Sequence, residues 1–133
     1  MKVVIDTNVL LAIIPRKSKY HYILEKLINK EFEILLSNEI LLEYYEVISK
    51  KTNQEIADNI TNLLLSLRSS ILITPYYFWT LIENDATDNK FADCAITGGA
   101  DFIVTEDHHF NILKKISFPK IEVISLEKFY TIL

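Results

Sequence analysis

The sequence predicts an α/β fold, a three-layer α/β/α sandwich built around a central, mostly parallel sheet of five strands. Two observations indicate it. Short apolar runs rich in β-branched residues alternate with stretches of helical spacing, and this alternation gives parallel strands whose connecting helices cover both faces of the sheet. Half of the 133 residues are apolar, and only two are glycine and three proline, so we expect one compact domain over residues 1–133.

The first strand is the element around which the rest of the chain is arranged. Residues 3–5 are apolar and β-branched, which is typical of a buried central strand, and Asp6, Thr7 and Asn8 follow directly. Ligands of open α/β sheets bind beyond the carboxyl ends of the strands, where Asp6 would emerge. The simpler alternative is that Asp6 only caps a helix at residues 9–14.

The next elements follow from hydrophobic spacing. Apolar residues recur at the helix period over residues 20–29, and residues 32–36 have the composition of a second strand. A third helix begins at Ser37 or Asn38 and keeps its apolar residues on one face up to about residue 48. The opposite face of this helix is acidic.

The second half of the chain continues the alternation. Residues 52–55, TNQE, have the form of a capping box and open a long helix, while the aromatic-rich residues 76–83 are expected to form a turn of helix. Gly98 and Gly99 are expected to stop the helix that precedes them. In chain order the predicted elements are helix 52–67, strand 71–74, helix 89–97, strand 102–104, helix 109–114, strand 120–124 and helix 125–131.

Carboxylates occur where predicted strands end or helices begin. The strand at residues 102–104 runs into TED at residues 105–107, which repeats the arrangement at Asp6. The acids expected to converge on one crevice are Asp6, Glu43, Asp88, Asp93 and Asp107.

Such a cluster of acids predicts a metal ion. Carboxylates brought together raise one another's pKa and cost stability unless a cation lies among them. Hard oxygen donors, with no supporting cysteine and no histidine pair at ligand spacing, favour Mg²⁺ or Mn²⁺ over Zn²⁺. An ion of this kind commonly polarises a phosphate and activates water for in-line attack.

The residues resemble the PIN-domain family, and within it the PIN toxins of bacterial toxin–antitoxin systems. Together the matching stretches cover about the first 110 residues in the right order. They are VVIDTNVLL at 3–11, SNEILLEYYEVI at 37–48, DNKFADCAI at 88–96 and ADFIVTEDHHF at 100–110.

The resemblance implies a PIN-like fold and a metal-dependent endoribonuclease, with a small antitoxin protein as inhibitor. The family's acids map onto Asp6, Glu43, Asp88 and Asp107, and Asp93 is expected to support the metal site. A helical wheel separates Asp93 from Asp88 by about 140°, so both face one metal only if Asp88 lies at the helix start.

Alternatives remain open at several of these positions. Glu39 or Glu46 would serve as the ligand if Glu43 were only a solvated glutamate, and Glu106 competes with Asp107 as the inward acid. Asp88 would be only a helix cap in the simplest case. The adjacent His108 and His109 are interpreted as loop residues, and Cys94 as a core residue.

Other side chains are expected to support the reaction. Asn8 and Thr105 are predicted to orient carboxylates, although turn and cap roles would also explain them. The net charge of −4 argues against a broadly basic surface. Local clusters are nevertheless expected to hold the RNA backbone, with solvated helix ends as the alternative. They comprise Arg16, Lys17, Lys19, Lys50 and Lys51.

Composition also suggests compartment and assembly. A single cysteine suits a reducing compartment, and no apolar run approaches the ~20 residues that span a bilayer, so we expect a cytoplasmic protein without a membrane segment. A homodimer is expected because tyrosine-rich patches are typical of interfaces. The tyrosines concerned are Tyr20, Tyr22, Tyr44 and Tyr45.

Three other functions are considered. A receiver-like domain would use Asp6 as a phosphoryl acceptor, but it lacks a suitably placed lysine and leaves Glu43 and Asp107 unused. A non-catalytic PIN-fold module would bind RNA or protein, yet such domains lose one or more of the acids that are all present here. A housekeeping RNA-processing nuclease would have the same site and no antitoxin.

Overall fold

A five-stranded sheet forms the centre of the computed structural model, which describes residues 1–82 and 88–133. All strand pairings are parallel, and the strands lie in the order β3, β2, β1, β4, β5. The predicted five-stranded sheet is therefore confirmed, with the first strand at its centre. The strands are β1 Lys2–Ile5, β2 Glu33–Leu36, β3 Ser70–Leu72, β4 Phe102–Val104 and β5 Val123–Ile124.

Helices cover both faces of this sheet. The connections from β1 to β2 and from β2 to β3 both step towards the β3 edge of the sheet, whereas the connection from β3 to β4 returns past β1 to the other side. Because crossovers between parallel strands are right-handed, the helix in this returning connection lies on the opposite face of the sheet. That helix, α5, contacts β1, β2 and β4. The helices are α1 Thr7–Ile13, α2 His21–Ile28, α3 Asn38–Lys51, α4 Gln54–Ser66, α5 Asn89–Gly98 and α6 Leu126–Ile132, with a 3₁₀ helix at His108–Lys115.

The capping box predicted at residues 52–55 does not form. Helix α3 runs further than its apolar stripe, to Lys51, and Thr52 ends it by donating its hydroxyl to the carbonyl of Ile48 at 2.6 Å. Asn53 instead caps α4, its side-chain oxygen accepting from the N–H of Ile56 at 2.8 Å. Thr52 cannot serve both helices, because they follow one another almost without a break.

The turn of helix predicted at residues 76–83 was wrong for the part that the structure describes. Residues 76–82 form neither helix nor strand, and Glu83 lies outside the described residues. The N–H of Trp79 donates to Asp93, and Asn89 bonds both the N–H and the carbonyl of Ile82. Thr80 has φ of +53°, which interrupts a right-handed helix. Side chains of α5 thus take the place of helical hydrogen bonds.

The two glycines at the end of α5 differ in function. Gly99 has φ of +67° and ends the helix in the left-handed conformation, as predicted for a glycine stop. Gly98 remains helical, and a Cβ atom there would lie 2.6 Å from Cδ1 of Leu35. Gly98 therefore allows α5 to pack closely on β2.

The core accounts for one tyrosine that had been assigned to a dimer interface. Tyr44 is 1% exposed, and its hydroxyl donates to the carbonyl of Ile5, which pins α3 to the end of β1. That assignment was wrong for Tyr44 because its ring fills the core. Cys94 is also buried, as expected for core packing. Within the described residues, no helix combines the length and the apolar character that crossing a membrane requires.

Candidate active site

Asp6 leaves the carboxyl end of β1 and is 5% exposed. One carboxylate oxygen accepts from the N–H of Thr7 at 2.8 Å, and the other accepts from the hydroxyl of Thr105 at 2.8 Å. Burial raises the pKa of Asp6, and the negative charges of Asp107 and Glu43 act in the same direction, whereas the two hydrogen bonds lower it. Asp6 therefore caps α1 and also faces other acids.

Glu43 is tied to Asp6 through Thr7. The hydroxyl of Thr7 donates to one oxygen of Glu43, while the other oxygen pairs with the ammonium of Lys90 at 2.8 Å. Glu39 and Glu46 are exposed on the same helix. The contacts of the structure thus distinguish Glu43 from its two neighbours, which the helical spacing alone did not.

Asp88 and Asp107 approach each other from two elements. Asp88 is 7% exposed at the start of α5, and its side chain does not cap that helix. One oxygen of Asp88 lies 4.0 Å from Nδ1 of His109, and an oxygen of Asp107 lies 3.3 Å from the same nitrogen. The hydroxyl of Thr105 accepts from the N–H of Asp107 at 3.0 Å. Thr105 and His109 therefore connect the carboxylates that follow β1 and β4 with the one that precedes α5.

Asp93 is also buried, at 4% exposure, but it contacts a different part of the chain. Its carboxylate accepts from the N–H of Trp79 at 3.0 Å. Burial raises the pKa of Asp93, the charge of Glu39 raises it further, and the hydrogen bond from Trp79 lowers it. These contacts give Asp93 an anchoring role beside the acids, and its role as a metal ligand stays a prediction.

The remaining sequence-predicted residues are placed less centrally. Glu106 is exposed and accepts from the N–H of Leu126 at 2.7 Å, so it supports α6. Asn8 is exposed on the first turn of α1. Lys19 pairs with Glu127 at 3.1 Å. None of these contacts leads to the carboxylate of Asp6.

The other predicted RNA-binding residues lie away from the acids. Helix α1 begins beside Asp6 and leads away from it, so Arg16 and Lys17 lie beyond its far end. Lys50 is on the same face of α3 as Glu43 but seven residues further on, about 10 Å along the axis. Lys51 follows it on the last turn. An RNA-binding role for these residues stays a prediction.

Three site residues were missed or undervalued by sequence reasoning. Lys90 follows Asp88 by two residues, and only the packing of α5 against α3 shows that it pairs with Glu43. His108 and His109 were interpreted as loop residues, yet they begin a 3₁₀ helix and their ring centroids lie 4.4 Å apart. With Asp107 they offer ligand atoms within 4.8 Å of one another. Adjacent histidines can therefore share one site here.

The fold and the acids together define an α/β domain with a carboxylate-lined site at the carboxyl edge of its sheet. The sequence pattern of the family described as PIN domain matches residues 2–109. The chain therefore belongs to the PIN-domain family, which confirms the resemblance found in its motifs.

A solved structure has the same fold. It is VapBC2 from Rickettsia felis bound to a DNA fragment from their promoter, with a TM-score of 0.66 and 22% sequence identity, and the match covers 94% of this chain and 98% of that chain. At this identity the likeness establishes the fold alone. No curated protein matches the sequence.

Proposed function

We propose that residues 1–133 form a single PIN domain that acts as an Mg²⁺- or Mn²⁺-dependent endoribonuclease and as the toxin of a toxin–antitoxin pair. The observation that carries the proposal is the connected set of Asp6, Glu43, Asp88 and Asp107 at one edge of the sheet. Membership of the PIN-domain family supports nuclease activity. The choice of RNA as substrate rests on the motif resemblance.

The donor set fits a hard divalent cation. Each oxygen of the buried Asp6 accepts one hydrogen bond, which fixes its orientation and leaves acceptor capacity. Carboxylate oxygens are the ligands that Mg²⁺ and Mn²⁺ prefer. Asp6, Glu43, Asp88 and Asp107 would hold the ion. When bound, such an ion polarises a phosphodiester and lowers the pKa of water.

The chain's own residues would prepare this site in three ways. Thr105 and Thr7 hold Asp6 and Glu43 in fixed orientations. The ammonium of Lys90 offsets part of the negative charge of Glu43. His109 lies between Asp88 and Asp107 and so restricts their positions. Preorganised carboxylates of this kind need little rearrangement as the reaction proceeds.

The antitoxin would occupy the surface of α3. Glu39, Glu43 and Glu46 line an open pocket of about 450 Å³, and Leu42 links it to an apolar groove between α3 and α4 that Leu65 also lines. An amphipathic helix with a basic residue near its C-terminal end would match both parts. The structural neighbour is described as a VapBC2 complex, which supports the expectation of such a partner.

The predicted competition between antitoxin and metal is testable. A guanidinium placed among the carboxylates would substitute for the cation, so affinity for the co-expressed partner should fall as Mg²⁺ rises. Equal affinity at low and high Mg²⁺ would mean that the inhibitor acts elsewhere. Absence of any such partner would favour the housekeeping nuclease.

A homodimer remains part of the proposal, with a smaller tyrosine set. Tyr20 and Tyr22 pack edge-on against Tyr130, with ring centroids 5.6 and 5.8 Å apart. Tyr22 is 40% exposed, and Tyr45 is partly exposed on α3. Sedimentation at micromolar concentration distinguishes the dimer from a monomer.

The nuclease proposal itself is tested by incubating the purified protein with RNA and DNA of the same single-stranded sequence. We expect cleavage of the RNA with Mn²⁺ or Mg²⁺ and none with EDTA. Binding of RNA without cleavage under any of these conditions would favour the non-catalytic module.

A further inference from the structure

Three aromatic rings form a row on the surface beside α5. Tyr77 and Phe118 are 62% and 81% exposed, and Trp79 is partly exposed between them. The ring centroids of Tyr77 and Trp79 lie 4.7 Å apart, and those of Trp79 and Phe118 lie 6.3 Å apart. We call these three rings the aromatic strip. Large exposed aromatic groups of this kind mark interaction sites.

The segment that carries Tyr77 and Trp79 is held in place by α5. The N–H of Trp79 donates to the buried Asp93, and three residues further on Ile82 is bonded twice by the side chain of Asn89, at 2.8 and 2.9 Å. A segment without helix or strand is thereby fixed at two points. The exposed rings are therefore presented in a defined position, as a binding surface requires.

Helix α5 also links the strip to the acids. Asp88 immediately precedes α5, and Asp93 lies five residues later, about 7.5 Å along the axis. A stacked nucleic-acid strand advances about 3.4 Å per nucleotide. Asp93, which anchors Trp79, therefore lies about two nucleotide spacings from Asp88 along the axis of α5.

Two lysines flank Phe118 of the strip in the chain, Lys114 four residues before it and Lys120 two residues after it. Both lysines line one cavity of about 290 Å³. Glu122 lines the same cavity and offsets part of the charge. Lys114 also lines the neighbouring cavity at Asp107, which connects the basic surface to the acids. Aromatic rings next to cationic side chains are the combination that binds single-stranded nucleic acid, because bases stack while phosphates meet the amines.

We propose that the aromatic strip stacks unpaired bases of the substrate, while Lys114 and Lys120 contact its phosphates. The inference rests on the proposed nuclease function and assigns a binding surface for the unpaired strand, outside the carboxylate site. A duplex cannot present its base faces to the strip, so the structure selects loops, tails and other unpaired segments.

Trp79 is the sole tryptophan of the chain, so its fluorescence reports directly on stacking. An unstructured oligouridine is titrated into the Asp6→Asn variant in EDTA, where cleavage does not interfere. We expect saturable quenching of Trp79, and weaker quenching by an RNA duplex. Equal quenching by the duplex would overturn the proposal.

Variants then locate the contact. Tyr77→Ala and Phe118→Ala should each weaken oligouridine binding, measured by anisotropy of a labelled RNA, by roughly five- to a hundred-fold. Leu72→Ala removes an exposed apolar side chain at the end of β3 and should leave the affinity unchanged. Lys120→Ala should reduce the slope of log affinity against log salt by about 0.7.

The outcomes separate this proposal from the nuclease proposal. If wild-type protein cleaves RNA with Mn²⁺ but Trp79 is not quenched and both strip variants bind normally, the strip has another role and the nuclease remains. Quenching and weakened variants without any cleavage would support the strip and remove the nuclease. If Tyr77→Ala and Phe118→Ala instead abolish self-association and leave RNA affinity unchanged, the strip is a protein interface and the proposal is wrong.

Discussion

Asp6 and Asp93 are equally buried aspartates, at 5% and 4% exposure, with different surroundings. Burial is the main cause that raises the pKa of each. Asp6 also feels the charges of Asp107 and Glu43, whereas Asp93 feels that of Glu39 and accepts from the backbone of Trp79. Burial and a perturbed pKa therefore do not by themselves identify a catalytic acid. The neighbours of the two carboxylates differ, and on that difference we propose Asp6 as a metal ligand and Asp93 as an anchor.

The largest expected difference is in catalysis. Asp6→Asn should lower RNA cleavage in Mn²⁺ by at least about a hundred-fold, since it removes a proposed ligand and a carboxylate that other groups orient. Asp93→Asn keeps an oxygen that can accept from Trp79 and should retain activity within about ten-fold. Equal losses in both variants would make Asp93 a ligand and remove the distinction.

The stabilisation of the fold by metal should also distinguish Asp6 from Asp93. An ion at 100 times its Kd stabilises the folded state by about 2.7 kcal/mol, which corresponds to a rise in Tm of roughly 10 °C for a domain of this size. We expect this rise with Mn²⁺ for the wild type and for Asp93→Asn, and little rise for Asp6→Asn. Identical melting curves of the wild type in EDTA and Mn²⁺ would contradict the clustered-acid site.

Removal of the anchor should have a structural effect of moderate size. Asp93→Ala leaves the N–H of Trp79 without its carboxylate acceptor, and loss of one such hydrogen bond costs about 1–3 kcal/mol. Chemical denaturation measures the loss, and a shift in Trp79 emission shows whether residues 76–82 have moved. Asp93→Asn is the matched control and should change neither quantity greatly. Unchanged stability and emission in Asp93→Ala would exclude the anchoring role.

The smallest expected effect is on the pH dependence of stability without metal. The pKa of Asp6 and that of Asp93 are raised above 3.8 in the folded state. At each of these two residues the folded protein therefore binds protons more readily than the unfolded chain. Their contribution to stability is complete below about pH 3.8 and is lost as pH rises through the folded pKa. Asp6→Asn and Asp93→Asn should each reduce the loss of stability that accompanies rising pH. Mn²⁺ should cancel the part of this loss that is due to Asp6 and leave the part that is due to Asp93.

The sequence predicted the sheet well because strand runs are a local pattern. Apolar strand runs and the acids directly after them are visible in the chain, and they placed Asp6 and Asp107 at strand ends. The choice of Glu43 among three helical glutamates required the contacts with Thr7 and Lys90. No periodicity encodes those contacts, since the partners are far apart in the chain.

Local patterns failed where one motif permits two structures. TNQE at residues 52–55 has the letters of a capping box, but the preceding helix continues to Lys51, so Thr52 belongs to its end. Residues 76–82 are aromatic and apolar enough for a helix, yet side chains of Asp93 and Asn89 hold the backbone in another conformation. Tertiary contacts decided both cases.

The most direct test of the metal site is a crystal structure of the protein soaked in Mn²⁺, with anomalous scattering used to locate the ion. We expect one strong peak or a close pair of peaks among the carboxylates of Asp6, Glu43, Asp88 and Asp107, with Asp93 still bonded to Trp79. A peak held only by Asp107, His108 and His109, or no peak near Asp6, would contradict it.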